Sequence, residues 1–166
     1  MKKSLLAACL FMSVTSLAEA SNGTIKFDGT IRDTACSIDA SNLDQSVSFG
    51  DIAKSLINQG GRSNPEMINI KLKNCSQGTL KEIQTTLNGS PAGFSEAFGV
   101  SGVSNVGILI EQSGTIVKPN SSVKQALRNG DNTISFQASV VGDSATGKDV
   151  TEGTFSSTVN FAIDYL

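Results

Sequence analysis

The stretch GTFSSTVNFAIDYL, residues 153–166, carries Phe155, Val159, Phe161, Ile163 and Tyr165 on one parity. The same period of two recurs along the chain, and no long stretch shows helical periodicity. MINIKLKNC alternates at Ile68, Ile70 and Leu72, and TISFQASVV alternates at Ile134, Phe136, Ala138 and Val140. Val47 and Phe49 share one face of a short segment, and NVGILIEQSGTIVK reads as two short strands around a glycine-bearing turn. Asn88-Gly89 and Asn129-Gly130 supply turn signals. About eight such segments, punctuated by turns, predict an all-β sandwich in one domain. Helical turns are expected within DIAKSLIN and SVKQAL, and a long loop over residues 90–104.

The first twenty residues stand apart. Lys2 and Lys3 precede the apolar run LLAACLFMSV, and AEA ends at Ala20. A run of about ten apolar residues is too short to cross a bilayer and has the layout of a cleaved signal peptide. Removing residues 1–20 leaves 146 of the 166, enough for one domain with a real core. Of 13 basic and 15 acidic residues, Lys2, Lys3 and Glu19 leave with the leader, so the mature chain is mildly acidic. With no basic cluster, nucleic acid is not an expected partner, and no remaining run spans a membrane.

Cys36 and Cys75 remain after Cys9 departs with the leader. An even pair in an exported chain reads as one disulfide. Two free thiols are the alternative; a metal site is disfavoured by the absence of histidine and of further cysteines. No cofactor is expected. Without histidine, acid–base chemistry would fall to Asp, Glu or Lys. The aspartates sit mostly in turns or on the polar faces of strands, and GTFSS lacks the strand–turn–helix setting of a nucleophile elbow. The chain is not expected to be an enzyme.

Both ends of the mature chain raise an edge problem. The closing strand is apolar, yet no sequence follows to pair with it. The leading segment GTIKFDGTIRDTAC alternates as well: Gly23, Ile25, Phe27, Gly29 and Ile31 on one face, and Thr24, Lys26, Asp28 and Thr30 on the other. This first strand could pack on its own domain. It could instead complete a neighbour that lacks a strand. Alternation alone leaves both open.

The ordered set of features resembles the pilins of the chaperone–usher pathway, in the type 1 pilus family. The leader is followed by GTIKFDGTIRDTAC, running into the first cysteine. GRSNP precedes the second cysteine in KLKNC. NG stands before TISFQA, Gly153 lies fourteen positions from the end, and the penultimate residue is Tyr165. The resemblance covers the whole mature chain. It implies an immunoglobulin-like sandwich lacking its last strand, completed by a donor strand from a neighbouring subunit. It divides the chain into a signal peptide at 1–20, a donor extension at 21–34 and a pilin domain at 35–166. Gly23, Ile25, Phe27, Gly29 and Ile31 would form the donor face. Gly153, Phe155, Val159, Phe161, Ile163 and Tyr165 would border the acceptor groove, with the carboxylate of Leu166 as the chaperone's anchor.

The implied role is a structural subunit of an adhesive fimbria. The implied partners are a periplasmic chaperone, an outer-membrane usher and neighbouring pilins, and the destination is a Gram-negative cell surface. Only Ser21 and Asn22 precede Gly23, so shaft, adaptor and terminator positions all stay open, whereas the length is too small for a two-domain tip adhesin. The alternative is a self-contained, secreted carbohydrate-binding sandwich. The absence of tryptophan and the single tyrosine count against it.

Overall fold

The computed structural model describes residues 23–29, 31, 34–145 and 148–166. The expected signal peptide, with Ser21 and Asn22, lies outside them. The chain divides into two units, residues 1–32 and 33–166.

In the first unit, residues 23–29 form neither helix nor strand. The strand expected there is therefore not formed within this unit. A strand exists by exchanging backbone hydrogen bonds with a partner, and alternation in the sequence supplies none. Ile25, Phe27 and Ile31 are 78%, 89% and 102% exposed.

The second unit is built on two antiparallel sheets. Its elements are β1 (Ser37–Ile38), α1 (Lys54–Ile57), β2 (Glu66–Cys75), β3 (Glu82–Asn88), β4 (Phe98–Gly99), β5 (Val106–Gln112), β6 (Thr115–Ile116), β7 (Ser121–Ala126), β8 (Gly130–Gly142) and β9 (Asn160–Tyr165), with short 3₁₀ turns at Ala40–Asn42 and Asn58–Gly60. The larger sheet runs β1-β2-β8-β5-β4, with β6 also paired to β5; the smaller runs β7-β3-β9. Ile70 and Leu72 of β2, Ile134, Phe136 and Val140 of β8, and Ile108 and Ile110 of β5 meet Ile83 and Leu87 of β3 in one core. This is the sandwich that the alternation predicts, since each strand turns every second side chain inward.

β8 is the central strand of the larger sheet, and from Ala138 to Gly142 it is buried on both faces. The cause is the segment expected to be a bare loop. Residues 91–97 fold back over the outer face of the sheet, where Ala97 packs with Leu109 and Val141, flanked by Ala92 and Phe94. Ala92 N donates to Ala97 O at 2.8 Å, and Gly99 N to Ser90 O at 2.6 Å. β4 then pairs Phe98 with Ile108. Gly89 makes room for this arrangement: a Cβ there would lie 2.8 Å from Phe98 Cδ1.

Of the two expected helical turns, α1 forms within DIAKSLIN, whereas all of SVKQAL but Leu127 belongs to strand β7. Lys, Gln, Ala and Leu favour helix locally, but pairing with β3 overrides that preference. Ser122 Oγ and Thr86 Oγ1 lie 2.8 Å apart, and Lys124 Nζ donates to Glu82 Oε2 at 2.9 Å. Val47 and Phe49 form no strand. Their segment is held against β2 by Gln45 Nε2, which donates to Asn69 O and Asn42 O, both at 3.2 Å. Asn129-Gly130 does not close a hairpin. It carries the chain from β7 in one sheet to β8 in the other, with Gly130 at φ +85°.

Cys36 and Cys75 form the expected disulfide, 39 residues apart. It lies beside the β1–β2 pairing of Ser37 with Lys73. Both cysteines are buried in the main core.

Candidate functional site: an apolar groove beside the last strand

β9 pairs with β3 along its whole length, from Ile83–Tyr165 to Asn88–Asn160. Among the described residues its other edge has no ladder partner. Phe161, Ile163 and Tyr165 point to the core opposite Leu87, Thr85 and Ile83. Those β3 residues are buried, with exposures of 4%, 1% and 0%, while their β9 partners are only half-buried. The apolar face of β9 is thus left partly uncovered by the fold.

An open groove of about 730 Å³ runs alongside. Its floor comes from three strands of the larger sheet: Ile68 and Ile70 on β2, Ala138 on β8, and Ile108 and Ile110 on β5. One wall is the approach to β9, with Phe155, Val159 and Phe161. The other is the segment before α1, with Leu43, Val47 and Phe49. The walls touch through Phe49 and Phe155, whose ring centroids are 6.4 Å apart and tilted by 36°. A trough of this kind, flanked by unpaired strand N–H and C=O groups, suits an extended peptide that presents apolar side chains on one face.

The structure sorts the residues singled out in the sequence. Phe155, Val159 and Phe161 line the groove; Ile163 and Tyr165 lie farther along β9, against the core but outside the lining. Gly153 precedes the strand, because β9 begins at Asn160 rather than at 153. Its φ of +147° and the approach of Val103 to 3.3 Å of a would-be Cβ explain a glycine there. One oxygen of the Leu166 carboxylate accepts from Lys81 N at 2.6 Å and from Glu82 N at 2.9 Å. Sequence reasoning did not find the floor or the opposite wall. Val47 and Phe49 carried a signal in their alternation, but the floor is assembled from three separated strands.

The Tyr165 hydroxyl is buried and has no hydrogen-bond partner among the described residues. That burial raises its pKa above the ordinary tyrosine value, because the phenolate would be poorly solvated. Tyr165 is the only tyrosine and there is no tryptophan, so ultraviolet absorbance follows it alone. The folded protein is expected to form phenolate at a higher pH than the unfolded chain, which titrates near about 10. Because the folded pKa is raised, this stabilisation is complete below about pH 10 and is lost as pH rises through the folded value. A titration midpoint at or below that of the denatured chain would contradict the assignment.

The sequence profile described as fimbrial protein matches residues 25–166. The chain belongs to the fimbrial protein family. This fimbrial protein is 36% identical over 187 residues to KS71A fimbrillin of Escherichia coli, an alignment covering 99% of this chain and all of that one. It is 33% identical to the Fimbria A protein of Serratia marcescens over 172 residues, 99% of this chain and 98% of that one. Among solved structures, the P pilus rod subunit PapA superposes with a TM-score of 0.72 at 30% identity, covering 80% of this chain and all of that one. A subunit of a chaperone–usher pilus studied for rod uncoiling superposes with 0.80 at 30% identity, covering 92% and 100%. The fimbrial protein is a pilin of the chaperone–usher class with an immunoglobulin-like sandwich fold, and a structural pilus subunit. These likenesses do not favour a self-contained carbohydrate-binding sandwich.

Proposed function

We propose that the groove receives residues 23–31 of a neighbouring copy, so that subunits polymerise by exchanging strands. The observation that carries this reading is the unpaired edge of β9 bordering a trough floored by four isoleucines. In this reading residues 21–34 are the donor extension and residues 35–166 the pilin domain. Ile25, Phe27 and Ile31 enter the groove, while Gly23 and Gly29 pass where wall or floor comes close to the donor backbone. Burying three such side chains contributes about 5–8 kcal/mol, at roughly 1.5–3 each. Each new ladder hydrogen bond adds about 0.5–1.5 kcal/mol net.

The same open edge explains the need for a partner before assembly. An exposed apolar strand edge invites indiscriminate pairing. A periplasmic chaperone would hold this edge after export by the leader at 1–20, with the Leu166 carboxylate as its anchor. An outer-membrane usher would then pass the subunit to its neighbour in an extracellular, adhesive pilus on a Gram-negative cell. Neither step assigns any catalysis to the chain. A shaft position is supported by the likeness to a rod subunit and by 36% identity to the PRS fimbrial major pilin protein of Escherichia coli.

A denaturing gel of surface extracts tests the reading. Unheated samples are expected to give a ladder of oligomers that collapses to one band on boiling. A single monomer band from unheated extracts would overturn it.

A further inference from the structure

Asn129-Gly130 carries the chain from one sheet to the other, away from the groove. Gly130 opens β8 opposite Cys75, set off from the continuous ladder by an irregularity between Leu72 and Cys75. Asn129 is exposed, and a Cβ on Gly130 would meet nothing within 4 Å. Asn129 Oδ1 accepts from Gln77 N at 2.7 Å, while among the described residues its amide nitrogen has no partner. Asn132 Nδ2 reaches Gly130 O at 3.3 Å, but among the described residues no side chain accepts from Gly130 N. Asn88-Gly89 holds the same two residues in the opposite setting. Gly89 N donates to Asn120 Oδ1 at 3.3 Å, and Asn120 Nδ2 donates to Gly89 O at 3.2 Å. A Cβ on Gly89 would lie 2.8 Å from Phe98 Cδ1, so this glycine is both tied and packed.

We infer that Asn129 is a site of self-modification, at which the side-chain amide is lost through attack by Gly130 N. Gly130 N bonds to Asn129 Cγ and gives up its proton to water. The Cγ–Nδ2 bond breaks, and the departing nitrogen takes up a proton and leaves as ammonia. Water then opens the cyclic imide at either carbonyl, giving aspartate or isoaspartate, and no oxidant, reductant or cofactor is consumed. Glycine at 130 leaves the attacking nitrogen unshielded by a Cβ. Negative charge builds on Oδ1 as the new bond forms, where the Gln77 N–H already points. The end of a ladder also opens at little cost, which frees Gly130 N to attack. Either product adds a negative charge two residues before Asp131, whose carboxylate accepts from Lys73 Nζ and Asn74 N. Isoaspartate also lengthens the main chain at the crossover, beside the disulfide residue Cys75. A long-lived subunit would carry this change as a record of its age, independently of how its groove is filled.

Timed incubation tests this. The full mature chain, disulfide intact, is held in warm, mildly alkaline buffer, either folded or in denaturant. Peptide mapping by mass spectrometry follows each asparagine, and labelling by an isoaspartyl methyltransferase reads the isoaspartate. In the folded protein Asn129 is expected to convert faster than Asn88 by about tenfold or more, the scale of one hydrogen bond to a developing charge. In the unfolded chain the two are expected to convert at comparable rates. Comparable rates in the folded protein, a faster Asn88, or no conversion at Asn129 would overturn the inference. Gln77→Pro deletes the donating N–H and is expected to slow Asn129 while leaving Asn88 unchanged; an unchanged Asn129 rate would overturn the assisting role of Gln77. Should that variant not fold, the comparison of folded with unfolded parent chain decides alone.

Discussion

Phe27→Asp is expected to abolish incorporation of the subunit into fibres while leaving its own groove able to bind an arm peptide. Phe27 is 89% exposed, so the change removes no packing from the fold. Docking, by contrast, loses the burial of a ring, about 1.5–3 kcal/mol, and must also desolvate a carboxylate at a further cost of several kcal/mol. A combined loss of roughly 5 kcal/mol corresponds to three to four orders of magnitude in affinity. Co-expression with the parent subunit and quantification of the variant in sheared fibres measures the outcome. Incorporation at the parent level would remove residues 23–31 from the donor role.

The second large effect is expected at the disulfide. Replacing Cys36 and Cys75 together by alanine opens a loop of 39 residues' separation. By chain entropy that bridge is worth about 4 kcal/mol. Both cysteines are buried, so truncation also thins the core beside β1. At this chain length the loss corresponds to a fall in Tm on the order of 10–20 °C. Thermal unfolding of the purified mature protein, with and without the pair, reads it directly. A Tm within about 2 °C of the parent would show the bridge to be dispensable for stability.

β2, β8 and β9 were legible in the sequence because each turns alternate apolar residues to one core, a pattern that survives in any tertiary context. SVKQAL was not. Its inward parity is broken by Gln125 between Val123 and the buried Leu127, and its helix-favouring residues become a strand only because β3 supplies a ladder on one side. Residues 90–104 hid a different kind of order: glycine, serine and proline marked a loop, but Ala92, Phe94 and Ala97 pack it onto the outer face of the sheet. Val47 and Phe49 alternate like a strand yet form a groove wall, because alternation reports which side chains are apolar and not whether a backbone partner exists. Ile25, Phe27 and Ile31 alternate too, yet residues 23–29 form no strand, for the same reason. The floor was not legible, since Ile68, Ala138 and Ile110 lie on three strands and meet only through the register of the sheet.

The position of the sulfur bridge has a mechanical consequence. In a fibre joined by exchanged arms, tension from one subunit travels along the arm and enters the next fold close to Thr34. Two residues later it reaches Cys36, whose covalent link passes the load to Cys75 at the end of the ten-residue β2. β2 is hydrogen-bonded along most of its length to the central β8, so the pull is borne by many backbone bonds at once instead of unzipping β1 from its margin. In such a fibre the load would bypass β1 and fall on the central strands of the larger sheet.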